Sequence, residues 1–237
     1  METPLTVRVL PLPSGRLLQV VLASFELAGF DPSAFAAAGI ACPASVARSV
    51  RKRQAEFFFG RFAARAALCH YGAPIVDVPI GNAGEPVWPE YFVGSISHTN
   101  AVAAAVVGEQ ACHVGLGIDI ERVVSADSET ALRAIAINPA ELDFLRSVDG
   151  PLTLRELVTL VFSAKESLYK GAFGTARRFF DFHAARVSAI DVVYGVVTLT
   201  LEEDLHALFP RKRRCEIGYV QIDPVTLLTV FEAREPR

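Results

Sequence analysis

The sequence predicts an α+β fold built from two similar units. Each half contains one long helical run rich in functional groups, residues 45–71 in the first and 153–171 in the second. Each run is accompanied by short segments that alternate apolar and polar residues, a pattern typical of antiparallel strands covered on one face. The shared order hints at a duplication, although no direct identity between the halves is evident. A turn at residues 108–110 predicts the boundary, giving units 1–112 and 113–237.

The first half is predicted to place its helix between two pairs of strands. Residues rich in Val and Leu are interrupted by prolines and glycines, as expected for strands and their turns. Residues 32–43 are rich in alanine and fit either a short helix or a loop. The strands are expected at residues 5–10, 17–27, 92–97 and 101–107.

The second half carries two strong helix-start signals. Asn138-Pro139-Ala140-Glu141 and Thr153-Leu154-Arg155-Glu156 both have the pattern of a capping box, in which a polar first residue and a Glu three positions later satisfy each other's backbone. The second of these begins the long helix, which Gly171 is expected to end. Strands are expected at residues 113–121, 184–190, 195–202, 215–222 and 227–232.

Composition narrows the class of protein. The formal net charge is −3, so there is no general attraction to nucleic acid, and any anion site must be a local cluster. The first 15 residues lack the basic start and apolar core of a signal peptide, and the apolar run 101–107 is too short to span a membrane. The four cysteines show no metal-ligand spacing and are expected to be free and mostly buried. We therefore expect a soluble, cytoplasmic protein without nucleic-acid or membrane partners.

Basic and polar residues of the first half suit an anionic ligand. Arg53, Phe57 and Arg61 recur every four residues, so both guanidinium groups share one face of the helix and are able to clamp a phosphate. Ser97 and His98 lie in a predicted turn after a strand, where hydroxyl and imidazole groups converge.

Acidic residues of the second half suit a divalent cation. Asp119 and Glu121 are two apart on a predicted strand and therefore face the same side, where two like charges are unfavourable unless a cation lies between them. Hard oxygen ligands favour Mg²⁺. Glu166 and Lys170 are four apart on the long helix and share a face. Alone they are most simply a surface ion pair, but Asp119 and Glu121 give Glu166 a metal to share.

Four stretches together resemble the 4′-phosphopantetheinyl transferase superfamily, in its single-chain surfactin and enterobactin (siderophore) class. The resemblance implies a pseudo-twofold chain of two similar lobes, each an antiparallel sheet packed with a long helix, with the active site between them. It also implies coenzyme A as co-substrate, Mg²⁺ or possibly Mn²⁺, an apo acyl or peptidyl carrier protein as partner, and a monomer. The stretches are Arg53 to Arg61, Trp88-Pro89 with Gly94 to Thr99, Gly117 to Glu121, and Phe162 to Glu166 with Lys170.

The resemblance assigns roles residue by residue. Asp119, Glu121 and Glu166 match the metal ligands, with the backbone of Ile120 beside the metal. Glu166, Lys170 and Asp119 are accordingly the expected catalytic residues. The expected coenzyme A ligands are Arg53, Arg61, Ser97, His98, Asp119, Lys165, Lys170 and the loop Gly84-Glu85-Pro86. Relatives often carry a basic residue just before that proline. Without it, the loop is expected to contact adenine through backbone groups, and either the affinity for coenzyme A is lower or a basic residue elsewhere substitutes.

Several alternatives stay open at this stage. A coenzyme A-dependent acyltransferase would not need the Asp119 and Glu121 pair, and a non-catalytic module that binds coenzyme A or a carrier would not need the intact motifs around Glu166. The general base is either Glu166 or a water that it orders. The carriers served (fatty acid, polyketide, non-ribosomal peptide or siderophore) are undetermined. Residues 177–180 and 211–214 are basic and form candidate docking patches.

Overall fold

The computed structural model describes residues 4–73 and 76–235. Contacts divide the chain into two compact units, Met1–Leu10 with Leu17–Cys112 and Pro11–Arg16 with His113–Arg237. The helices are α1 (Ala34–Ala38), α2 (Ala44–Ala47), α3 (Arg51–Cys69), α4 (Ala126–Ala136), α5 (Pro139–Arg146) and α6 (Leu154–Ala176). The strands are β1 (Leu5–Pro11), β2 (Leu17–Ser24), β3 (Phe92–His98), β4 (Val102–Glu109), β5 (Gly115–Arg122), β6 (Ala185–Asp191), β7 (Val196–Leu201), β8 (Arg214–Asp223) and β9 (Thr226–Ala233).

The first unit is a four-stranded sheet with α3 packed on it. The strand order is β1-β2-β4-β3, and β4 pairs antiparallel with both β2 and β3. The helix and the sheet pack closely because small residues lie at their contact, Gly60 on α3 and Ala103 and Ala105 on β4. A Cβ on Gly60 would lie 3.0 Å from Ile96 Cγ2. Beyond this contact, a cluster of phenylalanines fills the core, with the rings of Phe25 and Phe59 stacked 4.4 Å apart.

The second unit is a five-stranded antiparallel sheet with α6 packed across β5 and β9. The strand order is β5-β9-β8-β7-β6. The helix approaches β5 so closely that a Cβ on Gly117 would lie 1.8 Å from Ser167 O, and one on Gly115 would lie 2.1 Å from Gly171 O. Glycine at these positions therefore sets the distance between the helix and the strand. The predicted α+β class, with an antiparallel sheet and a long helix in each unit, is confirmed.

Both capping boxes are present as predicted. The Asn138 side chain accepts a hydrogen bond from Glu141 N, and the Glu141 carboxylate accepts one from Asn138 N. Thr153 and Glu156 do the same at the start of α6. Because these signals depend only on neighbouring residues, they could be recognised without tertiary information. The helix α4, between β5 and α5, was not predicted.

The bounds of both long helices differ from the prediction. The run 45–71 is two helices, because Val50 is extended and the Gln54 side chain donates to the carbonyls of Ala47 and Ser49 at the break. The second helix continues past Gly171 to Ala176, where Arg177 adopts a left-handed conformation with φ of 49°. Gly171 is in the middle of a helix because its position faces Gly117 and leaves no room for a side chain.

The cysteines and the apolar character of the helices complete the description of the fold. All four cysteines are free, as predicted, but Cys42, Cys69 and Cys112 are exposed and only Cys215 is buried, so the expectation of mostly buried thiols was wrong. Within residues 4–73 and 76–235, no helix is long and apolar enough to cross a membrane.

Candidate functional site

An acidic cluster in the second unit joins β5 to α6. Asp119 is 3% exposed, and its two carboxylate oxygens have different partners. Oδ1 accepts a hydrogen bond from Lys170 Nζ at 2.6 Å, and Oδ2 accepts one from Ser163 Oγ at 2.8 Å. The close approach of helix and strand at Gly117 places these side chains together. The sequence suggested an ion pair between Lys170 and Glu166 of the same helix. In the structure, Lys170 forms an ion pair with Asp119 of β5.

Three hydroxyl groups support this cluster and were missed by the sequence analysis. Thr229 Oγ1 lies 2.9 Å from Ser163 Oγ and 2.7 Å from Ser167 Oγ, all three residues being fully buried. Thr229 faces Asp119 across the β5–β9 pair. The signal that was available is the four-residue spacing of the two serines, which puts both on one face of α6. Their partner on β9, more than 60 residues away, could not be identified from the sequence.

The electrostatics of the cluster favour a cation. Burial, reinforced by the charges of Asp119 and Glu166 and opposed by that of Lys170, raises the pKa of Glu121 to about 7. Burial also raises the pKa of Glu166, where the charge of Lys170 lowers it and that of Asp119 raises it. Among the described residues, three carboxylates thus share one partly buried region with the ammonium group of Lys170. Excess negative charge of this kind in a poorly solvated site is stabilised by a positive ion.

The donors of this cluster fit a hard metal ion chemically. They are carboxylate oxygens, the ligands that Mg²⁺ prefers, and they outnumber the local positive charge. Among the residues that the structure describes, however, no three acidic, histidine or cysteine side chains are already arranged around one point as metal ligands. The backbone of Ile120, between the two strand carboxylates, is buried and paired with Leu228 of β9. The expected metal roles therefore rest on the donor chemistry.

Lys165 does not join the acidic cluster. It is 3% exposed, and its Nζ donates to Ala136 O and pairs with Glu141 Oε1, each at 2.8 Å. Burial lowers the pKa of Lys165, and the Glu141 carboxylate opposes that shift. Successive helical residues point about 100° apart. Lys165 and Glu166 both line a pocket with Tyr169, Phe180 and Asp181, but the Lys165 ammonium group is turned to Glu141 and Ala136. The expectation that Lys165 contacts coenzyme A is not supported by this placement.

A cationic cluster lies on α3 and the end of β3 in the first unit. Arg53 Nη1 lies 3.2 Å from His98 Nε2, and because a guanidinium only donates, the imidazole nitrogen accepts. Glu56, whose side chain is 11% exposed, lies 3.7 Å from Arg53 and 3.8 Å from His98. Glu56 was quoted in the motif but given no role, and its spacing of three from Arg53 was the available signal.

Arg61 is held more deeply than Arg53. Its Nε donates to Val78 O, and its guanidinium lies 4.4 Å above the ring of Phe57. Burial, with the charge of Arg53 adding to it, lowers the pKa of Arg61 to about 10. With a pKa of about 10, Arg61 is still a cation at neutral pH.

Ser97 and His98 are the last residues of β3 and not part of a turn. Neighbouring residues on a strand point to opposite faces, and Ser97 is buried while His98 is partly exposed. The two side chains therefore do not converge as predicted. His98 is the residue whose side chain contacts Arg53.

The loop containing Gly84, Glu85 and Pro86 is a tight turn. Gly84 has a φ of 89°, and Gly81 N donates to Glu85 O at 2.7 Å. The Glu85 carboxylate accepts a hydrogen bond from Ala83 N at 2.9 Å and so stabilises the turn in which it lies. Pro86 forms an isolated bridge with Ile80. A ligand at this loop would meet backbone groups and a carboxylate but no cation from these residues.

Both clusters fall within regions matched by models of one family. The 4′-phosphopantetheinyl transferase N-terminal domain matches residues 42–108, and the 4′-phosphopantetheinyl transferase superfamily matches residues 115–213. This chain belongs to the 4′-phosphopantetheinyl transferase superfamily. The first match contains Arg53, Arg61 and His98, and the second contains the acidic cluster with Lys170. The resemblance recognised in the sequence is thereby confirmed at the level of the superfamily.

Curated relatives of the superfamily include proteins of siderophore synthesis. Enterobactin synthase component D of Escherichia coli O157:H7 is 44% identical over 122 residues, which is 52% of this chain and 56% of that protein. The 4′-phosphopantetheinyl transferases Npt of Nocardia iowensis and PptT of Mycobacterium tuberculosis are each 34% identical over 143 residues, 60% of this chain and 62% and 61% of those proteins. The matched part thus spans a little over half the length of these relatives.

Proposed function

We propose that this chain transfers the 4′-phosphopantetheine arm of coenzyme A to a serine of an apo carrier protein. The products would be the holo-carrier protein and 3′,5′-ADP, and the reaction would depend on Mg²⁺, with Mn²⁺ as a substitute. The observation that carries the proposal is the cluster of Asp119, Glu121 and Glu166 around Lys170, within the region matched by the superfamily model. Clustered acidic side chains with raised pKa values are typical of catalytic sites.

Arg53, Arg61 and His98 are proposed to bind the phosphates of coenzyme A. Two guanidinium groups on one helix face, that of Arg61 partly buried, offer an anion charge-assisted hydrogen bonds in a poorly solvated place. Ser97, whose side chain is buried, would contribute indirectly, by holding in place the end of β3 that carries His98. Gly84, Glu85 and Pro86 would contact the adenine side through their backbone. Lys165 is left out of this ligand set.

In the proposed reaction the serine oxygen of the carrier forms a bond to the β-phosphorus of coenzyme A. The bond from that phosphorus to the bridging oxygen breaks, and 3′,5′-ADP leaves with the negative charge. Asp119, Glu121 and Glu166, with the backbone of Ile120, would hold Mg²⁺, and the bound ion would supply positive charge against the pyrophosphate. Lys170, held by Asp119, would place its ammonium group against the charge that develops on the phosphate.

The serine proton is proposed to pass to Glu166, directly or through a water that this carboxylate orders. A pKa raised by burial makes Glu166 a stronger base than an exposed carboxylate. The same carboxylate is proposed as a metal ligand, and metal binding weakens basicity, which favours the route through water.

The partner is proposed to be an acyl or peptidyl carrier protein of siderophore, polyketide or non-ribosomal peptide synthesis, or of fatty acid synthesis. The names of the relatives support the siderophore branch. Of the candidate docking patches, Arg178 is already paired with Glu203, whereas Phe179 is 75% exposed. Arg211, Lys212 and Arg214 are also exposed. We propose that the protein acts in the cytoplasm as a monomer.

Incubation with coenzyme A, Mg²⁺ and a panel of apo-carriers tests the proposal. The expected result is a gain in carrier mass equal to the phosphopantetheine arm, abolished by EDTA. In a parallel incubation with acyl-coenzyme A in place of coenzyme A, transfer of the acyl group alone, without need of metal, would identify an acyltransferase instead. Binding of coenzyme A or a carrier with no mass gain across the panel would support the non-catalytic module.

Arg61→Ala is expected to weaken coenzyme A binding by about 10- to 100-fold. Removing one charge-assisted hydrogen bond costs roughly 1.5–3 kcal/mol, and about 1.4 kcal/mol corresponds to a factor of ten. Calorimetric titration of coenzyme A into the folded variant measures the effect. Arg48→Ala is the matched control, because Arg48 is exposed just before α3 and should leave the affinity unchanged. Wild-type affinity in Arg61→Ala would contradict the assignment.

A further inference from the structure

A second pair of opposite charges lies in the second unit, and its members are more deeply buried than the acidic cluster. The side chains of Lys165 and Glu141 are 2% and 0% exposed, and Lys165 Nζ lies 2.8 Å from Glu141 Oε1. The same Nζ donates to Ala136 O, the last residue of α4, at 2.8 Å. A fully buried ion pair is retained only when its geometry and additional hydrogen bonds offset the loss of hydration. This pair has such bonds on both sides.

Glu141 ties three elements together through one carboxylate. Its Oε2 accepts from Asn138 N at 3.0 Å and so completes the capping box of α5. Its Oε1 accepts from Val187 N of β6 at 2.8 Å and also faces Lys165 of α6. Through Lys165, the end of α4 is added to the same network. Every partner is either backbone or the opposite charge, so the network leaves little freedom of rotation to Lys165.

The position of Lys165 on α6 gives this network a functional consequence. Lys165 directly precedes Glu166, and one residue corresponds to about 100° of rotation around the helix. On the side of the sheet, Ser163 and Ser167 are bonded to Thr229. The helix is thus held by buried polar contacts in two directions, and Glu166 projects between them. Any rotation of α6 that moved Glu166 would have to break one of these sets.

We propose that Lys165 and Glu141 form a positioning pair that fixes the rotation of α6 and thereby the direction of the Glu166 carboxylate. The inference rests on the proposed function, since it concerns the use of Glu166 as a metal ligand. Lys165 then contributes to the reaction without touching coenzyme A. This role differs from that of a phosphate-binding lysine, whose ammonium group must be accessible to the ligand.

The two roles predict opposite patterns of binding. As a positioning residue, Lys165→Met is expected to leave the affinity for coenzyme A within about twofold and to weaken Mn²⁺ binding by about 10- to 100-fold, the effect typical of residues that orient a metal ligand. The variant should also lower kcat with little change in the KM for coenzyme A. Calorimetry measures coenzyme A binding, and electron paramagnetic resonance of free Mn²⁺ measures metal binding independently of activity.

A double-mutant cycle with Glu141→Gln distinguishes the effect of the Lys165–Glu141 interaction on Mn²⁺ binding from independent effects of each substitution. Each single variant leaves one buried charge without its partner, whereas Lys165→Met/Glu141→Gln leaves none. The double variant is therefore expected to bind Mn²⁺ more tightly than the product of the two single losses predicts. Lys165→Arg retains the charge and should recover part of the Mn²⁺ affinity. If Lys165→Met does not fold, Lys165→Arg and Glu141→Gln carry the same comparison.

Two results would overturn the inference in distinguishable ways. A loss of coenzyme A affinity in Lys165→Met, with Mn²⁺ affinity unchanged and no coupling to Glu141, would make Lys165 a phosphate ligand and leave the proposed function intact. If the wild-type chain binds neither coenzyme A nor Mn²⁺, the proposed function is overturned, and the positioning role with it.

Discussion

Glu166→Gln is expected to reduce carrier-protein labelling by about 100-fold or more while leaving the fold intact. Removing even an outer partner of a metal ligand costs about 10- to 100-fold, and Glu166 is proposed as a ligand and as part of the proton route. Glutamine has nearly the same volume and keeps one side-chain oxygen as an acceptor, so the substitution should be tolerated by the fold. The measurement is the initial rate of mass gain on an apo-carrier, with circular dichroism as the check of folding.

The matched control is Glu216→Gln, because Glu216 is exposed on β8 of the same unit. It should label the carrier at the wild-type rate. Metal affinity gives a second readout, since Glu166→Gln is also expected to weaken Mn²⁺ binding. Labelling at the wild-type rate by folded Glu166→Gln would remove Glu166 from the site.

Gly117→Ala is expected to lower the free energy of unfolding by about 3 kcal/mol or more, or to prevent folding. Inserting a methyl group into a packed core costs about 1–3 kcal/mol when side chains can adjust. Here the new Cβ would lie 1.8 Å from Ser167 O and 2.6 Å from Gly171 N, which are both backbone atoms of α6. The helix itself would have to move away from β5. Urea denaturation of the soluble variant, or its failure to accumulate as folded protein, measures the effect.

Gly174→Ala is the control within the same helix. Gly174 lies in α6, and apart from its chain neighbours and the backbone of its own helix, no atom of the described residues lies within 4 Å of its would-be Cβ. Because alanine is favoured over glycine in helices, this variant should gain about 0.5–1 kcal/mol. A Gly117→Ala protein as stable as wild type would show that the contact between α6 and β5 does not limit the fold. The same contact brings Lys170 to Asp119. If Gly117→Ala folds with only a small loss of stability, its activity should therefore still be reduced.

The sequence by itself determined the features that depend on neighbouring residues. The capping boxes at Asn138 and Thr153, the alternation of the strands and the four motifs of the superfamily are all local patterns, and each was recognised without tertiary information. The face shared by Arg53 and Arg61 follows from helical periodicity alone. The same holds for the face shared by Asp119 and Glu121 on a strand.

Only the tertiary structure decided which partners these side chains meet. The sequence placed a glycine at 171 and predicted a helix end, but the approach of β5 makes that glycine a packing residue in the middle of α6. Lys165 was assigned to coenzyme A by its motif, yet Glu141 and Ala136 surround its ammonium group. Such contacts join residues distant in the chain, and their energies depend on burial, which no local pattern specifies.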